Sequence, residues 1–205
     1  MTISNGYATL VQVKQAISMG TADTADDDRL ELAIETASRA LDDECERVFF
    51  ASGTGVSRVF VPADCDHVPV DDLISISAVA CDWDQDGTFE TTVTDYRTLP
   101  TNGVYRGRPW PVVELVAGIS ASWPVIADEY PSVRVTGNYG FAAAVPKTIV
   151  QACVTLSARY WKRGDAVFGV AGFGDMGAVR LSQTDPDVAR LVRPFRRSGS
   201  GVGFA

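Results

Sequence analysis

Two apolar stripes at helical spacing, near opposite ends of the chain, constrain the fold most. Leu30, Ala33, Ile34, Ala37, Leu41 and Cys45 recur at intervals of three and four. Ile149, Ala152, Cys153, Leu156 and Tyr160 do the same after Pro146, a residue suited to a first helical turn. One stripe on one helix cannot be buried alone, so each needs a partner, and the simplest partner is the other. A shorter helix precedes them. Thr9 and Gln12 are spaced as a capping box, Leu10, Val13 and Ile17 share a face, and Gly20 ends the run. The acids Asp23, Asp26, Asp27 and Asp28 precede the long stripe, where carboxylates favour a helix start.

Between the stripes the period changes to two. Ile74 and Ile76 alternate with Ser75 and Ser77, and Val133 and Val135 with Arg134 and Thr136. Pro62, Pro69, Gly87, Pro100 and Pro131 punctuate the region. This predicts an antiparallel β-rich insertion, with Trp83, Trp110, Trp123 and Tyr139 packing its core or its contact with the helices. The expected class is α+β: a small helical bundle from residues 1–55 and 145–164, a β-rich insertion over 56–144, and an extended C-terminal arm over 165–205. Within the arm, Gly169, Gly172, Gly174 and Gly177 argue against a regular element, while Asp185 and Pro186 open a short helix ending before Pro194.

The chain has 205 residues, nearly half of them apolar, which suits one domain with an elaboration. The net charge of −8 is uneven: residues 1–158 hold 10 Lys+Arg against 22 Asp+Glu, and residues 159–205 hold 8 against 4. An acidic body with a basic tail predicts contact between the tail and an acidic surface. The polar start, Met1 to Gly6, lacks the blocks of a secretory leader, and no stretch reaches a membrane span; both point to a cytoplasm-like compartment.

Catalytic patterns are missing. There is no GxSxG elbow, phosphate-binding loop or HExxH. Four cysteines include no CxxC pair, and the single histidine, His67, argues against structural zinc. The expectation is a protein that is not an enzyme and uses no cofactor. The sharpest local motif is Asp82, Asp84, Asp86 and Gly87, which matches the opening of a calcium loop. Its twelfth position is Val93, which cannot ligate, and its flanks read as strands. The motif is therefore read as an acidic hairpin turn with no metal assigned; a calcium-binding β module, resting on Asp82, Asp84 and Asp86, is an alternative.

In order along the chain, the blocks Tyr7 to Val11, Asp26 to Leu30, Ile34 to Ser38, Cys45 to Phe49, Asp82 to Glu90, Asp95 to Tyr96, Val133 to Gly140, Asp185 to Val188 and Leu191 to Arg197 resemble tailed-phage head–tail connector proteins. These are the adaptors that form the ring below the portal. The long β insertion departs from the family's simplest, mostly helical members. The resemblance implies a structural virion protein of the neck, assembled in the host cytoplasm. Its implied partners are the portal protein, neighbouring copies in a ring of twelve, and the next neck or tail protein, a stopper or tail terminator. Genome DNA would pass through the lumen without sequence-specific binding, and no membrane partner is implied. Arg190, Arg193, Phe195, Arg196 and Arg197 are the candidates for portal contact, with Phe195 as the anchor and the arginines as forks for carboxylates. A neck stopper or tail-completion protein is the alternative within the same class.

Overall fold

The computed structural model describes residues 3–103, 110–115, 122–126, 129–165, 170–171, 179–180 and 186–197. They form two compact units: residues 1–47 with 145–205, and residues 48–144.

The first unit is helical. Helix α1 spans Leu10–Ala16 under the expected capping box: the Gln12 amide donates to Thr9 Oγ1 (3.3 Å), and the Thr9 amide to Gln12 Oε1 (2.8 Å). Helix α2 spans Asp27–Cys45 and α3 spans Lys147–Asp165, two residues past Arg163. All six stripe residues of α2 are buried, and α3 buries Ile149, Ala152 and Cys153. Leu156 and Tyr160 are half-buried. Helices α2 and α3 pack on each other, α1 packs on both, and α4 (Pro186–Val192) packs on α3 and α2. Each large apolar side chain so buried contributes about 1.5–3 kcal/mol.

Among the described residues of this unit one cation is buried. Lys14, 2 % exposed, donates from Nζ to the Asp23 carbonyl and pairs with Asp27 Oδ1 at 2.5 Å. It thereby joins α1 to the loop before α2 and to the start of α2. Helix α2 ends on Glu46 in the left-handed region (φ 52°), where the amides of Glu46 and Arg47 fold back on Asp43 and Asp42.

The second unit is β-rich. Its strands are β1 (Val56–Phe60), β2 (His67–Cys81), β3 (Thr91–Val93), β4 (Tyr96–Leu99), β5 (Trp110–Leu115) and β6 (Val133–Tyr139). The sheet runs β1-β6-β2-β5-β4, with β3 also on β2, and every pairing is antiparallel. Strand β2 pairs with β5 over its first half and with β6 over its second, with register shifts between. Strand β6 alternates buried and half-buried residues without a break, the legacy of its period of two. Gly137 of β6 is required by close approach, since a Cβ there would lie 2.2 Å from the Ser75 carbonyl oxygen. The core gathers Val68, Leu73, Val79, Trp123, Val133, Val135 and Tyr139. Trp83, expected to pack inward, is instead half-exposed. The side chain of Trp110 lies outside the described residues.

Residues 48–55 group with the strands. Phe49 packs on Phe141 with ring centroids 5.4 Å apart, and the Phe141 amide donates to the Val48 carbonyl at 3.0 Å. The insertion thus brings its own two ends together, which lets a helical unit accept it. Beyond α3, Val170–Ala171 (β7) pairs antiparallel with Val179–Arg180 (β8). The expectation of irregular structure at Gly169, Gly172, Gly174 and Gly177 falls on residues outside those described, as does that for Asp185.

Candidate assembly surfaces

The C-terminal segment is held by local chemistry. Asp187 lies in the first turn of α4 and Arg190 in its last, each on the favourable side of the helix dipole. Val188 and Val192, four apart, are the buried face. A 3-10 turn, Arg193–Phe195, follows. The Arg197 amide donates to the Cys45 carbonyl at 2.9 Å, and Arg196 pairs with Glu44. The segment expected as an extended arm therefore rests, over residues 186–197, on the end of the chain's own α2. Burial under it pushes the Cys45 thiol up to about 11.

Of the five candidate portal residues, Arg190, Arg193 and Arg196 are exposed and three apart, while Phe195 and Arg197 are half-buried. The structure thus brings three arginines onto one short stretch and turns Phe195 partly inward. The part played by Glu44 was not foreseen. Its signal was the acidic block Asp42 to Glu46, whose charge complements the arginine run.

The Asp82 motif forms a turn with Gln85 and Gly87 at positive φ (65° and 85°). The turn is organised around Asp82, which is buried. Its Oδ1 accepts from the Gln85 amide (2.8 Å), and its Oδ2 from the Gly87 amide (3.0 Å) and the Tyr130 hydroxyl (2.6 Å). The Tyr130 hydroxyl first, then the Gly87 and Gln85 amides, hold this carboxyl below its ordinary range against the opposing effect of burial. Asp86 accepts from the Thr88 amide at 2.6 Å. Oxygens of Asp82, Asp84 and Asp86 lie within 4.8 Å of one another. Both oxygens of Asp82 are already engaged by donors of the chain, so the geometry is that of a self-supported turn.

His67 pairs through Nδ1 with Asp64 at 2.9 Å. Burial pushes the Cys81 thiol up to about 11 and raises that of Cys153, which keeps both thiols protonated and unreactive near neutral pH. Among the described residues no helix is long and apolar enough to cross a membrane.

No protein-family model and no curated protein matches the sequence. Solved structures do match, almost end to end. The likeness to a chain of the neck of an empty gene transfer agent (GTA) particle, computed with C6 symmetry, covers 98 % of this chain and 96 % of that one, with a TM-score of 0.62 and 18 % identity. A chain of the virion of a native GTA particle matches over the same shares, with a TM-score of 0.57 and 17 % identity. This chain shares its fold with a GTA neck chain. At these identities the likeness is one of fold, and it includes the β-rich insertion, since nearly all of both chains is covered.

Proposed function

We propose that this chain is a structural protein of the neck of a phage-like particle, the head-to-tail adaptor. Copies form a ring that docks on the portal and continues the DNA channel toward the tail. The observation that carries this reading is the end-to-end fold match to a chain from a GTA neck. That neck was computed with C6 symmetry, which rings of six or twelve subunits both satisfy. The acidic body supports the channel role, because surfaces of like charge do not hold passing DNA.

Portal contact is assigned to the C-terminal stretch: Arg190 and Arg193 as the exposed forks, with Phe195, Arg196 and Arg197 completing it. The test is co-sedimentation of the full chain with purified portal, comparing wild type with Arg190→Glu/Arg193→Glu. Both side chains are exposed, so the variant should stay folded, melting only slightly lower because a glutamate at position 190 would oppose the α4 dipole that Arg190 favours. Binding should weaken at least about tenfold, as expected when central charge contacts are reversed. Full-strength binding by the variant would remove the portal assignment. Electron microscopy of particles places the protein in the stack: contact with portal supports the adaptor, and a position beyond it makes the chain a stopper or tail-completion protein.

A further inference from the structure

Helix α2 ends against its own electrostatics. The C-terminal end of a helix dipole favours cations, yet the last turn of α2 holds no basic residue, and Asp42, Asp43, Glu44 and Glu46 stand in or beside it. Asp42 is answered from the N-terminal part of the chain: the Tyr7 hydroxyl donates to its Oδ1, and Arg39 pairs with its Oδ2 at 3.1 Å. Glu44 is answered from the other end, by Arg196. The Cys45 carbonyl, one of the last of the helix, accepts from the Arg197 amide at 2.9 Å. A carboxylate and a helix-end carbonyl thus form a socket, and two consecutive residues of the arginine stretch fill it.

The two parts of this contact differ in strength. The segment is anchored by burial: Val188 and Val192 are covered, and the Cys45 thiol faces the Val192 carbonyl at 4.0 Å. The ion pair is open to water, since the side chains of Arg196 and Glu44 are 47 % and 46 % exposed. Such a pair is weak and changes partners readily. A second carboxylate can therefore reach Arg196 while α4 stays seated, and no helix has to unfold. Arg190 and Arg193, exposed at the same three-residue spacing, are met by the same incoming surface.

We infer that Glu44 is a built-in competitor for Arg196: it holds the guanidinium in the free subunit, and an acidic partner binds by taking the place of Glu44. The exchange breaks one arginine–carboxylate pair and makes another. Glu44 thereby sets a threshold. A surface that offers a lone carboxylate gains little over it, whereas one that also engages Arg190 and Arg193 gains those pairs in addition. The identity of the partner rests on the portal assignment made above; the competition rests on the contact with Glu44 alone.

The test is a double-mutant cycle on the full chain. Glu44→Gln, Arg196→Gln and the two together are compared with wild type. Glu90→Gln, at an exposed carboxylate of the β unit, controls for the loss of one negative charge. Two probes are used: purified portal in co-sedimentation, and a fluorescein-labelled polyglutamate peptide by anisotropy at low salt. Glu44→Gln should bind both about two- to fivefold more tightly than Glu90→Gln, the range of an exposed ion pair. In the Arg196→Gln background that gain should vanish. Far-UV circular dichroism should stay as in the wild type, because α4 remains seated. Equal or weaker binding by Glu44→Gln than by Glu90→Gln would overturn the inference, as would a gain that persists without Arg196. A gain and coupling on the peptide, with no chain binding portal, would uphold the competition by Glu44 and remove the portal assignment alone.

Discussion

Replacing Lys14 with methionine should destabilise the helical unit by about 2–4 kcal/mol. The magnitude follows from the surroundings. Lys14 is 2 % exposed and makes two polar contacts, with the Asp23 carbonyl and with Asp27 at 2.5 Å. Methionine keeps most of the stem, so little packing is lost. A charge-assisted hydrogen bond goes, worth about 1.5–3 kcal/mol. Asp27 is 26 % exposed and sits at a helix start, so water and the α2 dipole still support its charge. That places the total below the 3–5 kcal/mol typical of a fully buried pair. Urea unfolding followed by circular dichroism at 222 nm isolates the effect, because every described α-helix lies in residues 1–47 and 145–205. With a slope of about 1–2 kcal/mol per molar, the midpoint should fall by about 2 M. A double cycle with Asp27→Asn should show coupling of about 1 kcal/mol or more. A loss below about 1 kcal/mol for Lys14→Met would refute the reasoning, since water would then have to reach the ammonium group that the structure buries.

Two further outcomes follow. Glu46→Gly should stabilise by about 0.5–1 kcal/mol and raise the melting temperature by about 1–4 °C, because Glu46 ends α2 at φ 52°, where a side chain is strained; no rise would mean the end of α2 adopts another conformation in solution. The Asp82 turn should loosen in acid. The folded pKa of Asp82 is depressed, so its contribution is complete above the ordinary carboxylate range, near pH 4, and is lost as pH falls through the folded value. Fluorescence of Trp83, beside the turn, should follow that loss, and Asp82→Asn should flatten the acid limb; an unchanged limb would show that the turn does not depend on this carboxylate.

What the sequence revealed was local. The stripes of α2 and α3, the box of Thr9 with Gln12, the alternation of β6 and the turn ending in Gly87 are each set by neighbours within a few residues. Those signals sufficed for the α+β class and for the β insertion between helices. Long-range pairings were hidden. Strand β2 changes partner midway, from β5 to β6, and nothing in its alternation announces the register shifts. The pairing of Lys14 was hidden as well, because its partners stand nine and thirteen residues on, in the loop before α2 and at the start of that helix. Trp83 reads as core because tryptophan usually is, and only the sheet pairing shows it exposed at the end of β2. The arginine stretch was visible as charge, but its rest on Glu44 and Cys45 joins residues about 150 positions apart, beyond any periodic signal.

That last contact sets an order of events during synthesis. The helical unit takes its first part from residues 1–47 and its last from residues up to Arg197, whose amide reaches Cys45. The β unit lies wholly between them and closes its own ends through Val48 and Phe141, so a growing chain can complete it first. Meanwhile α1 and α2 wait with an uncovered apolar stripe. At about 5–20 residues per second, the ~100 residues of the insertion hold that stripe open for roughly 5–20 s. The arginine stretch follows the insertion and α3 in the chain, so it can settle on Glu44 and Cys45 only after both have been made.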